Sequence, residues 1–166
     1  MTKVLSTFLV LFISLHSQAQ NISLNDVRKN FNKGVKDENL CSDYLDYLET
    51  SAKSTVENGY KGAYTMFMAK HVSNPLKKMS YFKSGKKILE QQIKSDPNNT
   101  ELRFIRLCIQ YHIPDYLGYN NNINQDKDFL VTNLYKMKDD KVKELIYTYL
   151  KGANMYNEEE LTLLRR

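Results

Sequence analysis

Beyond its first nineteen residues the chain carries two histidines, His71 and His112, and two cysteines, Cys41 and Cys108. His112 precedes Asp115 by three residues, close enough to work as an acid–base pair. The segment His112-Ile113-Pro114-Asp115-Tyr116-Leu117-Gly118-Tyr119 gathers imidazole, carboxylate and phenol groups just after an apolar stretch. Segments held by a rigid scaffold carry function disproportionately. We therefore expect His112, Asp115, Tyr116 and Tyr119 to form a binding site, with Arg103 and Arg106 on the preceding helix beside them. A small periplasmic enzyme of hydrolase type, using His112 and Asp115, is the alternative. A third reading is structural, with a proline-stopped helix end and tyrosines packing back on the body of the protein.

Several chemistries lack their residues. No nucleophile elbow accompanies His112, and glycine-rich phosphate loops and His-Glu-x-x-His are missing. Neither His71 nor His112 has a second His or Cys at ligand spacing, which argues against zinc. Asp126 and Asp128 lack the Gly and the terminal Glu of a calcium loop. No cofactor or metal is expected. His71 falls on an apolar face and reads as a satisfied core residue.

Cys41 and Cys108 sit on apolar helical faces. In an oxidising compartment they can pair, and a disulfide closing so long a loop stabilises by roughly 4 kcal/mol in the chain-entropy model. The other reading is two small buried hydrophobes.

The elements that position these groups centre on Asn74 to Tyr119. Asn74 can cap a helix with Pro75 at its first position, where a missing N–H costs nothing. Met79, Phe82, Ile88, Leu89 and Ile93 give it an apolar stripe, with Gly85 or Lys86 at the intervening step, and seven Lys and Glu residues lie opposite. Pro97 ends it. Asn99 or Thr100 caps a second helix, on which Leu102, Phe104, Ile105, Leu107, Cys108, Ile109 and Tyr111 cover most of the circumference. Only Arg103, Arg106 and Gln110 form a narrow polar face, so this helix should be central.

The small Gly85, the apolar Leu89, the KSDPNN turn and the fresh helix resemble the second half of a tetratricopeptide repeat, which implies a paired-helix (TPR-like) centre. No second copy follows at the 34-residue period. The string GKKILEQQIKSDPNNTELRFIRLCIQYHIPDYLGYNNNINQDKDFLV also resembles a group of small secreted helical proteins from Bacteroidota. That likeness spans Asn74 to Leu134 and brings no activity with it.

The remaining chain reads as further helices. Ser23 and Asp26 form a capping box for a helix over 21–36 with Val27, Phe31 and Val35 inward. Glu38 to Lys53 buries Cys41, Tyr44, Leu45, Leu48 and Ala52, and turns an acidic face of Asp43, Asp46 and Glu49 to solvent. Glu57 to Val72 carries an aromatic–Met cluster, Tyr60, Tyr64, Met66, Phe67 and Met68, that reads as core or as the lining of an adaptable groove. Asp126 to Met137 and a helix capped by Asp139 follow. A short last helix, Glu158 to Leu164, is expected to fray or to dock a partner through Leu161 and Leu164.

Residues 1–19 have the form of a cleaved signal peptide. Lys3 is basic, Val4 to Leu15 is apolar, and Ser17-Gln18-Ala19 suits a signal peptidase. The apolar run is too short to span a bilayer. Its loss removes one lysine, taking the formal charge from +5 to +4. Lys and Arg are dispersed, without the dense block of a nucleic-acid arm. The expectation is thus an all-α bundle of about seven helices over residues 20–166, in antiparallel hairpins, with no transmembrane helix in the mature chain. It would be periplasmic or secreted from a Gram-negative cell. Its expected work is non-catalytic, as a binding or scaffold module for an envelope protein or peptide, without nucleic acid.

Overall fold

The computed structural model describes residues 22–165, and among them helices are the only regular structure. The expected signal peptide lies outside the described residues. Eight α-helices run in order: α1 Leu24–Lys29, α2 Glu38–Ser51, α3 Thr55–His71, α4 Pro75–Ser95, α5 Thr100–His112, α6 Ile123–Asn133, α7 Asp140–Gly152 and α8 Glu158–Leu164. Single 3-10 turns at Asp115–Leu117 and Leu134–Lys136 interrupt the connections. The all-α class read from the sequence is the observed one.

Caps set most boundaries. The Ser23 hydroxyl accepts from the Asp26 N–H, and Asp26 Oδ2 accepts from the Ser23 N–H at 3.0 Å. Ser54 with Glu57 and Asn157 with Glu160 repeat this reciprocal pattern. Asn74 and Asn99 cap α4 and α5 as expected.

Helix α1 stops at Lys29, seven residues short of expectation, and local competition for its carbonyls accounts for the difference. Asn30 Nδ2 donates to the Asp26 carbonyl at 3.0 Å and to the Tyr44 hydroxyl at 2.8 Å. His71 Nε2 donates to the Gly34 carbonyl at 2.8 Å, so that carbonyl serves α3 instead of a helix ladder. His71, expected as a satisfied core residue, is satisfied by this bond but only half-buried.

Helices α3 and α4 form an antiparallel pair whose backbones meet at Gly62 and Gly85. A Cβ on Gly62 would lie 2.8 Å from the Gly85 carbonyl oxygen, and a Cβ on Gly85 would meet the Gly62 carbonyl and Met66. Only hydrogen fits at either position. The apolar stripe of α4 reaches the core from Phe82 onward. Met79 is 41% exposed and Leu76 82%, so the first two turns of this helix project into solvent.

Helix α5 is central. Leu102, Phe104, Ile105 and Leu107 are fully enclosed, each contributing about 1.5–3 kcal/mol of hydrophobic stabilisation. Helix α8 packs back on the body: Leu161 and Leu164 are buried, and Lys127 of α6 pairs with Glu160 at 3.4 Å. The expectation of a frayed or partner-docking last helix is corrected by that burial.

Candidate functional site

The polar face of α5 is not a surface. Arg106 is 4% exposed and Gln110 1%. Arg106 donates through Nε to Asp126 Oδ2 at 2.7 Å and through Nη2 to Oδ1 at 2.8 Å. Its remaining nitrogen, Nη1, donates to Glu90 Oε2 at 3.0 Å. Arg103 donates to the same Asp126 Oδ1 at 2.8 Å and to the Pro97 carbonyl at 3.0 Å. Gln110 exchanges two hydrogen bonds with Asn122. Burial opposes the Arg106 charge, but the carboxylates of Asp126 and Glu90 outweigh it and raise its pKa.

Tyr119 belongs to this same interior network. It is 4% exposed, and its hydroxyl donates to Glu90. Burial, with the adjacent Glu90 carboxylate, pushes its pKa up. Of the expected binding residues, Arg103, Arg106 and Tyr119 thus meet internal partners, and what they hold together is α4, α5 and α6. That corrects their assignment as contacts for an external partner.

The acid–base pair is not formed. Asp115 accepts from Asn120 Nδ2 at 2.9 Å, while His112 packs edge-on against Tyr111 with ring centroids 5.4 Å apart. Partial burial lowers the His112 pKa. Tyr116 is 85% exposed and stands alone on its turn. Among the described residues no set of three His, Cys, Asp or Glu side chains could hold a metal ion.

Both cysteines are free and buried, so the Cys41–Cys108 bridge permitted by the sequence is not made. The Cys41 thiol donates to the Tyr64 carbonyl at 3.7 Å. Burial pushes its pKa up to about 12 and raises that of Cys108 as well.

What the sequence did not reveal is a groove of about 960 Å³, open along one side. It lies between α7 on one side and α1, its following turn and α3 on the other, and the end of α5 closes it below. Phe31, Met66, Phe67, Ile109, Leu145 and Tyr149 supply its apolar surface. Phe31 anchors that surface, touching the rings of Phe67 at 5.3 Å, Phe104 at 6.0 Å and Tyr149 at 6.1 Å. Of the expected site residues, His112 and the buried Cys108 line the groove.

The groove's polar margin is basic. Lys29, Lys36 and Lys70 line it, and among the described residues none has a carboxylate within 4 Å. Two further charges are internally matched. Arg28 grips Glu101 with Nε–Oε1 at 2.6 Å and Nη2–Oε2 at 2.9 Å, and Tyr60 donates to the same carboxylate at 2.9 Å. Glu144 faces Arg165 at 3.7 Å. Next to the groove a recess of about 150 Å³ shares Arg28, Lys29 and Leu145 with it and adds Asn25, Lys141 and Val142.

Fold and site together define an all-α protein with an open apolar groove and a cationic margin. Compared with protein-family models, with curated proteins and with solved structures, the chain matches none.

Proposed function

We propose that this chain is an exported, non-catalytic binding protein that holds an apolar ligand in the groove between α7 and α1–α3. The observation that carries the proposal is the pairing of roughly 960 Å³ of concave space with an aromatic and aliphatic lining. That volume falls near the top of the range of about 300–1,000 Å³ usual for small-molecule sites. A groove this large left unfilled forgoes dispersion contacts along its whole lining. Export rests on the Lys3, Val4–Leu15 and Ser17-Gln18-Ala19 pattern. The Gly85, Leu89 and KSDPNN spacing supports a TPR-like pairing of α4 with α5.

The Arg103–Arg106 face is not the contact surface, since Asp126 and Glu90 occupy it. An envelope protein would dock here only by inserting an apolar segment.

The test is titration of the mature chain with a neutral apolar fluorophore, N-phenylnaphthylamine. The proposal expects saturable binding to the wild type and loss of it in Thr148→Trp, whose exposed side chain lines the groove and would fill it without removing a core residue. Equal binding by both proteins would contradict it.

A further inference from the structure

We infer that the groove's ligand is a single-chain amphiphile with an anionic head, its tail lying along Phe31, Phe67 and Tyr149 and its head held in the recess by Lys29 and Lys141. The inference rests on the groove being a binding site and adds the chemistry of its occupant.

Three observations meet in it. The first is continuity: the recess and the groove share Arg28, Lys29 and Leu145, so one molecule reaches both. The second is a change of character along that path. The groove is walled by aromatic and aliphatic groups, whereas the recess is lined by Asn25, Arg28, Lys29 and Lys141 around only two apolar side chains.

The third observation is charge. Arg28 is committed to Glu101, but neither Lys29 nor Lys141 has a carboxylate within 4 Å among the described residues. Two acids act on this end of the groove. Asp139 caps α7 by accepting from the Lys141 and Val142 backbone N–H groups at 3.0 and 3.1 Å, and it lies near Arg28. Asp26 of α1 lies near Lys29. Among the described residues neither comes within 4 Å of a lysine ammonium. Two ammonium groups at the end of an apolar trough select a ligand with an apolar body and a terminal anion. Lys36 and Lys70 on the margin disfavour a cationic amphiphile.

An ammonium–carboxylate or ammonium–phosphate contact is a charge-assisted hydrogen bond, about twice as strong as a neutral one. Excluding water beside Leu145 and Val142 strengthens it further. A hydroxyl in place of the anion loses that contact and keeps the tail's.

The test displaces N-phenylnaphthylamine from the mature protein with monomeric laurate, dodecyl phosphate, dodecanol and dodecyltrimethylammonium, four heads on one tail. The inference expects an anionic head to bind about tenfold or more tighter than dodecanol, with the cation weakest. Laurate against dodecyl phosphate then tells a fatty-acid ligand from a phosphate-headed one. Lys29→Gln with Lys141→Gln should erase the anion's advantage and leave dodecanol unchanged. Lys78→Gln with Lys87→Gln, an equal charge change on exposed positions of α4, should leave both as they were.

Equal affinity for the four heads, with the fluorophore still bound, overturns this inference and leaves the groove reading standing. No binding of the fluorophore overturns both. Displacement by an acidic amphipathic helical peptide but not by any amphiphile overturns the inference in favour of a peptide ligand.

Discussion

Arg106 of α5 holds Asp126 of α6 in a two-pronged pair, Nε to Oδ2 at 2.7 Å and Nη2 to Oδ1 at 2.8 Å, with Asp126 wholly enclosed. Arg103 adds a second cation to the same carboxylate, and Glu90 adds a second anion to Arg106. The network ties three helices in one register, and every charge in it has a partner. Breaking it from one side strands a buried charge, which is the costly event.

Asp126→Ala should therefore cost about 3–5 kcal/mol, measured as a shift of the urea midpoint with unchanged m-value. Arg106→Met combined with Asp126→Leu should cost less than the sum of the two single changes, because the two enclosed charges leave together and only Arg103 and Glu90, both less buried, lose a partner. A single substitution costing under about 1 kcal/mol, the range of exposed pairs, would show the pair to be solvated.

Gly85→Ala should destabilise by about 1–3 kcal/mol, the usual cost of overpacking, because its Cβ would press on the Gly62 carbonyl and Met66. Gly152→Ala serves as the contrast. Nothing lies within 4 Å of a Cβ there, and Ala is the better helix former by about 0.5–1 kcal/mol. Thermal melts of the two variants should move in opposite directions.

The free thiols give a chemical prediction. Iodoacetamide at pH 8 should leave Cys41 and Cys108 unmodified in the folded protein, since both are buried and burial raises the pKa of each. Both should react in denaturant without added reductant. Modification that requires reductant first would mean that a disulfide is present.

Acid sensitivity should arise in part at the cap of α3. Glu57 accepts from the backbone N–H groups of Ser54 and Lys53, and these bonds hold its pKa below the ordinary 4.5. The stability this brings is full above that unfolded value and is lost as pH falls through the lower, folded one. Glu57→Gln should flatten the pH dependence of the melting temperature below about pH 4.5. An unchanged acid limb would remove the cap from the account.

Helix number and order were largely legible because capping residues and apolar periods act locally. Asn74, Asn99, Asp139 and Asn157 mark starts that the structure keeps. Where distant partners decide, the sequence was mute. Asn30 and Gly34 end α1 through bonds to Tyr44 and His71. Arg103, Arg106 and Gln110 on an otherwise apolar helix read as a narrow polar face open to a partner, yet the same spacing also suits a buried polar seam. The acids that make it one, Glu90 and Asp126, come from two other helices. The groove was harder still, since its lining comes from five separated stretches whose apolar residues mostly read as ordinary core. The aromatic–Met cluster of α3 was the one signal, and Met66 and Phe67 do line it.

The most direct test of the groove is to find where an apolar ligand sits. Photolabelling the protein with a neutral long-chain diazirine alcohol, followed by peptide mapping, would do this. The account predicts adducts on Met66, Phe67, Leu145 and Tyr149, suppressed by Thr148→Trp. Adducts confined to the exposed Leu76, Met79 and Tyr116, or unchanged in that variant, would contradict it.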